Sequence, residues 1–576
     1  MRRTMISGLA SAAVVAALLT PMAQASPSAS SPPTAQLSGA DCEWGTEPAS
    51  VVPTVDYPRG YLFAGDWRRA YEQSAVECSL GPAWTPLRHN YPYSQVLVNA
   101  TLYGGADSDS HLCTSLDDPT CAPSDWAEIY AESAVGYCAS ADDFNCVESL
   151  EVIGPDGVSQ SARYQRGFPE WQGVPEFSQG QVFMPAGGSV PLWEYDTPQG
   201  TAQILSVGMT HTVFRPIAGR WAPATTQKLF SFGLRPVVIE RRPAIPKPTL
   251  VEREDQTTGA TKVYVDGLYH PAAIDCAAID LAECALDADF PTDYRYRVSL
   301  RLRDESAMYL NGAVDQPVAF SEKISGGHRF TIEAAPMPVL GLAGWIPKSQ
   351  VPRALVDQVV AELGFNYNWD VDVYAQSFHG LGRGGEQALA WLKALLPYFG
   401  DRASFTVDAW YLENTPTLGR YTGRCVDKSN GEFIGIVSSN ATAYTGDPPS
   451  YDAARSTLSY EVAAPHYLPD GESLARGRYS ISMNAEFVKC LLGVDKVPSV
   501  ARVELTYPDG EASAATLALK QDKNWLRLIY ENFTFSSPTV SVKFPKSLTC
   551  VKGKGKKKKT KAVVAFSCPK GWKPKP

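Results

Sequence analysis

Histidine is scarce in this chain. Only 7 of its 576 residues are histidine, and they are scattered at positions 89, 111, 211, 270, 328, 379 and 466. The H-E-x-x-H signature of zinc hydrolases is absent, and so is the G-x-S-x-G elbow that carries the nucleophile of α/β-hydrolases. No two cysteines have the C-x₂₋₄-C spacing that zinc sites prefer. These absences argue against the motif-bearing hydrolases, and we assign no catalytic residue, metal ligand or cofactor.

Two weaker motifs do not change this conclusion. Residues 380–385 (GLGRGG) fit G-x-G-x-x-G between a strand-like segment and a helix that begins at Glu386. The preceding segment alternates Asp370 and Asp372 with apolar residues, whereas a dinucleotide-binding strand is apolar on both faces. Asp107 and Asp109 could ligate calcium, but the EF-hand spacing is missing. We therefore interpret the first motif as a glycine-rich helix entry and the second as a turn.

Long apolar runs are also missing after the N-terminus, where residues 1–25 resemble a signal peptide. Arg2 and Arg3 precede an apolar stretch from Ile6 to Leu19, and the small-residue cleavage site is Ala23-Gln24-Ala25. The apolar stretch is near the short limit for spanning a bilayer, and no second run of about 20 apolar residues follows. We expect an exported, extracellular protein, with a cell-wall association as an open alternative.

The composition favours β structure. Aromatic residues make up 11% of the chain, and 45 glycines and 44 prolines favour short strands joined by turns. Residues 295–303 alternate apolar and basic side chains, as a strand with one buried and one solvated face does. Helices are predicted only at 352–364 and 386–396, and a hairpin is predicted around Pro508-Asp509-Gly510. We predict a mainly β fold of several antiparallel β-sandwich-like (Ig-like) domains in series, with a small α-helical insertion.

The length exceeds what one hydrophobic core usually organises, so we expect several domains. A Ser/Pro linker at 26–40 follows the signal peptide, and proline-rich or turn-rich segments at 241–248 and 414–421 mark two junctions. The predicted units are listed here: an N-terminal β-rich disulfide-containing domain at 41–245, with a further division near residue 154 left open; a central β domain at 246–418 with a helical insertion at 350–398; a C-terminal β-sandwich-like domain at 419–545; and a basic tail at 546–576.

The 12 cysteines predict disulfides, which are the default state in an oxidising compartment. Three pairs enclose seven residues each, and such segments must turn back on themselves to bring the sulfurs together. The predicted pairs are Cys113 with Cys121, Cys138 with Cys146, Cys276 with Cys284, Cys42 with Cys78, Cys425 with Cys490, and Cys550 with Cys568.

Acidic residues are absent from the basic tail (residues 546–576), which holds eleven lysines, four of them consecutive. Subtracting these eleven positive charges from the net −9 of the whole chain leaves −20 upstream. The Cys550–Cys568 bridge would close the lysine run into a hairpin. We expect it to bind an anionic cell-wall polymer or membrane surface, although docking on the protein's own acidic body stays open. The lysines assigned to this binding are Lys552, Lys554, Lys556, Lys557, Lys558, Lys559, Lys561 and Lys570.

Four stretches carry a resemblance to a known group of proteins. They are YCASADDFNCVESLEVIGPDG (137–157), VSSNATAYTGDPPSYDAARSTLSYEVAAPHYLPDG (437–471), GRYSISMNAEFVKCLLGV (477–494) and NFTFSSPTVSVKFPKSLTCVKGKGKKKKTKAVVAFSCPKGW (532–572). The chain resembles uncharacterised secreted proteins of actinobacteria that end in a Cys-bounded lysine-rich hairpin. The resemblance implies export and a modular tail, and it supplies no catalytic residue.

These observations lead to a first hypothesis of a secreted, non-catalytic binding or structural protein of the cell envelope or extracellular space. Its partner could also be a protein or a glycan, and we expect no specific nucleic acid. The alternative is a secreted carbohydrate-active enzyme with two carboxylates about 5 to 9.5 Å apart. The segment from Glu170-Trp171 to Trp193-Glu194 mixes aromatic and acidic residues as sugar sites do, although a solvent-exposed loop with a few packed aromatics would give the same pattern. The sequence does not indicate the oligomeric state.

Overall fold

The structure is a computed structural model that describes most of the chain between residues 109 and 574. The described residues are 61–62, 95–99, 109–113, 116–123, 128–168, 177–179, 182–184, 189–223, 229–244, 249–254, 259–266, 276–303, 309–347, 373–378, 386–403, 405–414, 425, 433–446, 448–507, 512–522, 524–535, 537–553 and 559–574. The predicted signal peptide, linker, Cys42–Cys78 bridge and first helix (352–364) lie outside them.

Strands dominate the described residues. The first eighteen are β1 (Tyr61–Leu62), β2 (Gln95–Asn99), β3 (Ser110–Leu112), β4 (Glu128–Ala134), β5 (Cys146–Ile153), β6 (Ser159–Ser161), β7 (Arg163–Phe168), β8 (Phe177–Gln179), β9 (Val182–Met184), β10 (Val190–Thr197), β11 (Gly200–Ile217), β12 (Arg220–Pro223), β13 (Leu229–Arg241), β14 (Thr249–Glu254), β15 (Thr261–Asp266), β16 (Cys276–Asp280), β17 (Glu283–Asp287) and β18 (Arg295–Leu302). The others are β19 (Tyr309–Ala313), β20 (Asp315–Ile324), β21 (Gly327–Ala335), β22 (Met337–Pro347), β23 (Val373–Phe378), β24 (Phe405–Asn414), β25 (Gly435–Ser439), β26 (Ala443–Tyr444), β27 (Ser450–Asp452), β28 (Thr457–Ala463), β29 (Arg476–Asn484), β30 (Val500–Thr506), β31 (Ala512–Ala518), β32 (Lys520–Asp522), β33 (Trp525–Thr534), β34 (Thr539–Lys543), β35 (Lys546–Lys552), β36 (Lys559–Ala565) and β37 (Lys573–Pro574).

Helical segments are short in the part of the chain that is described. They are α1 (Glu386–Leu395), α2 (Ala485–Leu492) and two 3₁₀ turns, Pro119–Cys121 and Leu396–Phe399. Helix α1 confirms the helix predicted at 386–396. Helix α2 was not predicted; the Asn484 side chain accepts hydrogen bonds from the Glu486 and Phe487 amides at its start, and Gly493 ends it in the left-handed conformation. The predicted mainly β, sandwich-like fold class is confirmed.

One large mixed sheet connects strands from most of the chain. Its hydrogen-bonded ladders run from β32 through β33, β29, β25, β19, β24 and β13 to β11, which pairs further with β10 and β4. Every pairing along this path is antiparallel except β19 with β25. The β13–β24 ladder links residues before 245 with residues after 246, and the β19–β25 ladder crosses position 418 in the same way. Strands on both sides of the two predicted junctions therefore share this sheet, and the domain limits themselves stay predictions.

A second sheet, in the order β20-β21-β18-β5-β6, packs on one face of the large sheet. Alternate residues of β18 are buried, as the period-two pattern predicted. Tyr296, Val298, Leu300 and Leu302 join Phe232 and Trp410 of the large sheet in one core. The basic residues of β18 lie on the outer face, where they pair with glutamates of β5 and β21. The outer face of this sheet therefore carries solvated arginine–glutamate ion pairs, as is typical of an antiparallel sheet whose other face is buried.

A third sheet, in the order β26-β28-β34-β30-β31, packs on the opposite face of the large sheet near the C-terminus. Its core includes Val437 of β25, Ile481 of β29 and Val542 of β34. All five residues of β25 are buried, because this strand has a sheet on each of its faces. The antiparallel pairing of β30 with β31 confirms the hairpin predicted around residues 508–510.

Five of the six predicted disulfides are confirmed. The bridges are Cys113–Cys121, Cys138–Cys146, Cys276–Cys284, Cys425–Cys490 and Cys550–Cys568. None of the described cysteines is free. No helix within the described residues is long and apolar enough to cross a membrane.

Candidate functional site

The basic hairpin (β35, β36 and β37) is the candidate site because it carries the lysines predicted to bind an anion. It forms a separate three-stranded sheet in the order β36-β35-β37. Only two residues separate β35 from β34, and one of them, Phe544, is buried in the C-terminal core. The Lys546 ammonium donates a hydrogen bond to the Ala454 carbonyl oxygen at 2.9 Å. These contacts fix the base of the basic hairpin to the rest of the protein.

The strand register sets which lysines share a face. In the β35–β36 ladder Lys552 pairs with Lys559, and Cys550 pairs with Lys561. Cross-strand partners project to the same face of a sheet, and residues two apart along a strand do the same. Lys552, Lys559 and Lys561 therefore share one face, which we call the three-lysine face. Lys573 of β37 pairs with Val551 and so belongs to the reverse face.

The described lysines of the basic hairpin are exposed to solvent. This holds for Lys552, Lys559, Lys561, Lys570 and Lys573. None of these five forms an ion pair with a carboxylate of the described residues. Four other lysines assigned from the sequence, Lys554, Lys556, Lys557 and Lys558, lie outside the described residues. The lysines that can be placed are thus available to an external anion.

A disulfide and a tight turn hold the basic hairpin together. Cys550 is fully buried and bonded to Cys568, with 5.7 Å between their Cα atoms. The Trp572 amide then donates to the Pro569 carbonyl oxygen at 2.9 Å and closes a turn. Gly571 has a φ of +80° in that turn, and a Cβ atom there would lie 3.7 Å from the Lys552 ammonium nitrogen. Lys552 therefore extends over the turn, whose glycine leaves room for it.

Two features of the basic hairpin were not predicted from the sequence. Lys573 was not assigned to binding, although the alternation of lysine with proline near the C-terminus could have indicated an exposed strand. The direct opposition of Lys552 and Lys559 depends on the register of the two strands, which the six intervening residues do not fix. That opposition becomes visible only once the strands are paired.

The side chains that could ligate a metal are the His, Cys, Asp and Glu residues, of which the structure describes a part. No group of three or more His, Cys, Asp or Glu side chains is placed to hold a metal ion among them. Asp109 accepts a hydrogen bond from the Thr261 amide at 2.7 Å, so its carboxylate links two backbone segments. The His466 ring donates from Nδ1 to the Phe535 carbonyl oxygen at 2.5 Å, and the His466 backbone amide donates to the Asp401 carboxylate. Asp109 and His466 therefore each form hydrogen bonds that connect separate segments of the chain.

The aromatic and acidic pair Trp193-Glu194, considered as part of a sugar site, is divided between two environments. The Trp193 ring is buried in the core, and its Nε1 donates to the Ser206 hydroxyl at 2.9 Å. Glu194 lies on the opposite face, accepts from Gln203 at 3.0 Å, and lines a groove of about 290 Å³ together with Asp289. This groove is slightly smaller than ordinary ligand pockets. Trp193 thus cannot serve as a sugar-stacking surface, and Glu170-Trp171 lies outside the described residues.

A buried polar cluster behind β24 was also not predicted. The Glu413 carboxylate accepts hydrogen bonds from the Tyr444 hydroxyl at 3.0 Å and the Tyr411 hydroxyl at 3.2 Å. Burial, together with the nearby Glu413 charge, raises the pKa of Tyr411 and of Tyr444 well above the ordinary tyrosine value. Asn311 stands opposite Glu413 in the β19–β24 ladder, and its amide donates to the Gly446 carbonyl at 2.7 Å. The cluster joins β19, β24 and β26 through hydrogen bonds. No spacing in the sequence brings these residues together.

Comparison with known proteins adds no relative: no protein-family model matches the chain, and no curated protein matches it.

Proposed function

We propose that this protein is a secreted, non-catalytic binding or structural protein of the cell envelope or extracellular space, and that its basic hairpin holds it on an anionic surface. The observation that carries the proposal is the set of exposed lysines on a disulfide-bridged sheet at the end of an otherwise acidic chain. A positively charged patch on a molecule with net negative charge orients that molecule so that the patch faces a negatively charged surface.

Export is supported by the disulfides. Five bridges and no free cysteine among the described residues fit a protein that folds in an oxidising compartment. The N-terminal charge and apolar pattern described above provide the signal for that route. Export places the exposed lysines where anionic wall polymers and lipid head groups are abundant.

The expected strength follows from the number of lysines. Near an anionic surface each close lysine contributes about 1 kcal/mol, so three contacts give an affinity gain of about 100-fold. Surface attractions of this kind are screened over about 10 Å at 0.1 M salt. Binding should therefore be firm at low salt and should be lost at moderate salt.

Deletion of residues 546–576 tests the proposal. We expect the full chain to sediment with envelope fractions at low salt and to be released by a moderate salt wash, and we expect the deleted chain to stay in the soluble fraction throughout. A variant with every tail lysine replaced by arginine is the matched control and should be retained. Equal retention of the full and deleted chains would overturn the proposal.

A further inference from the structure

The basic hairpin contains a repulsive pair of charges that its register imposes. Lys552 and Lys559 are direct cross-strand partners, and both are exposed without an ion pair among the described residues. Directly opposed side chains have Cβ atoms about 4.5–5.5 Å apart, and like charges at that position destabilise a ladder. In the basic hairpin the two opposed lysines lie two residues along the ladder from Cys550, and the Cys550–Cys568 bridge holds the sheet together despite their repulsion. An anion that binds between the two ammonium groups would remove the repulsion.

Lys561 adds a third charge to the same face. It follows Lys559 by two residues, a spacing of about 6.8 Å along an antiparallel strand. Lys561 pairs with Cys550, so the buried disulfide lies next to it and limits how far the two strands can separate. The three-lysine face therefore carries three exposed lysines at neighbouring backbone positions of one disulfide-bridged sheet. The reverse face carries Val551 and Thr560 together with Lys573.

From this arrangement we infer that the three-lysine face is the specific contact surface of the basic hairpin, and that its ligand is a linear polymer of repeating phosphate groups. The inference rests on the proposed function and names the ligand class of the same site. An ammonium group is a point charge with three donors, which suits successive phosphate oxygens along a chain. Three neighbouring charges on one face can contact successive phosphate groups of a single linear polyanion.

The composition of the exposed surface argues against insertion into a lipid bilayer. Segments that lie in a membrane interface bury apolar side chains below the head groups. Among the described side chains of the basic hairpin, no large apolar one is fully exposed; those that are half-buried are Leu548, Val551, Val563, Phe566 and Trp572. The hairpin thus presents charge without an apolar anchor, which favours a soluble or wall-bound polymer as its partner.

Two charge-matched variants of the full chain test the inference. The first is Lys559→Gln with Lys561→Gln, which removes two charges from the three-lysine face. The second is Lys496→Gln with Lys520→Gln, which removes two exposed charges from the body outside the basic hairpin. Binding of each to linear inorganic polyphosphate is measured by titration at several salt concentrations.

We expect the first variant to bind polyphosphate at least 10-fold more weakly than the unmodified chain, and the second to bind within about 2-fold of it. The slope of log affinity against log salt should fall by about 1.4 in the first variant, because each phosphate contact on a single strand contributes about 0.7. Retention of the Cys550–Cys568 bridge, checked by mass spectrometry, shows that the hairpin has formed in both. Equal losses in the two variants would overturn the inference.

Vesicles with about 30% phosphatidylglycerol provide the competing arm. Tighter binding of the full chain to these vesicles than to polyphosphate, at equal phosphate concentration, would overturn the choice of a polymer. Suppose that deleting residues 546–576 abolishes envelope retention and that the two variants lose polyphosphate affinity equally. The proposed function would then stand, and only the inference about the three-lysine face would be overturned. If the chain without residues 546–576 were retained in envelope fractions as well as the full chain, the proposed function itself would be overturned.

Discussion

Arg301 and Glu148 are joined across the β5–β18 ladder, with 2.6 Å between Nη2 of the arginine and Oε1 of the carboxylate. Arg329 of β21 donates to the same carboxylate at 2.5 Å, so one glutamate links three strands. Both arginine contacts lower the pKa of Glu148, the hydrogen bond from Arg329 most strongly. The outer face of this sheet is therefore stabilised by a shared, half-buried anion.

The first prediction concerns acid stability. A carboxylate with a lowered pKa stabilises the folded state fully above its ordinary value of 4.5, and the contribution disappears as the pH falls below it. Glu148→Gln should reduce the free energy of unfolding by about 1–3 kcal/mol at pH 7 and by progressively less as the pH falls below 4.5 and through the lowered pKa. Thermal melts of both proteins from pH 3 to pH 7 measure this. Parallel curves for the two proteins across that range would contradict it.

The second prediction concerns the buried polar cluster. Tyr444→Phe removes a hydroxyl that donates to Glu413, leaving the carboxylate one donor short, and should reduce the free energy of unfolding by about 1–3 kcal/mol. Tyr530→Phe, at a half-buried tyrosine stacked on Phe533, is the control and should cost less. Urea unfolding monitored by fluorescence provides the measurement. A Tyr444 variant as stable as the Tyr530 variant would show that the hydroxyl is dispensable.

The same tyrosines predict an alkaline limit. Because the pKa values of Tyr411 and Tyr444 are raised by burial, their neutral forms stabilise the fold below the ordinary value of 10.0, and this stability is lost as the pH rises above it. Spectrophotometric titration should show that these tyrosines ionise only when the protein unfolds. Reversible ionisation of all tyrosines in the folded protein near pH 10 would rule this out.

A further prediction concerns the strand that joins the two halves of the large sheet. A Cβ at Gly312 would overlap the carbonyl oxygen of Tyr411 on the neighbouring strand, and it would also meet the Leu412 Cα at 2.9 Å. Gly312→Ala should therefore destabilise the protein by about 1–3 kcal/mol or more. Gly136→Ala is the matched control, because its Cβ would have only an ordinary contact of 3.5 Å with Ser189. Comparable melting temperatures for the two variants would contradict the prediction.

The last prediction separates the basic hairpin from the body. Replacing Cys550 and Cys568 together with serine removes a bridge across 18 residues, which is worth about 3 kcal/mol to that segment. We expect weaker binding to polyphosphate and an unchanged melting transition of the main sheets. Loss of the main transition would show that the bridge supports the body as well.

The sequence predicted those features that depend on local pattern. Alternation from 295 to 303 identified β18 and its buried face, and even spacing of cysteines identified the short disulfide loops, since both depend on neighbouring residues. It could not predict that β18 lies beside β5 or that β13 lies beside β24, because strand partners distant in sequence leave no periodic signal. Helix α2 was missed because eight residues are too short to establish a helical period.

The basic hairpin likewise has features that the sequence predicted and features that it could not. The lysine content and the Cys550–Cys568 bridge were evident from composition and pairing, whereas the grouping of Lys552, Lys559 and Lys561 depends on register. A shift of one residue in β36 would have placed its lysines on the reverse face. The Tyr444–Glu413 contact unites residues 31 positions apart through a tertiary fold that no motif encodes.

The shared sheet also determines when the chain can fold. Arg301 meets Glu148 across 153 residues, and the Phe230 amide meets Asn414 across 184. Pairings of this range are slow to form, because the entropy of closing long loops is lost before the contacts are gained. Strands β5 and β13 must wait for partners that the ribosome has not yet made, so the nascent protein stays open until its later segments emerge. A chain that stopped near residue 400 would leave the edge of β13 without its neighbour and would be prone to aggregate.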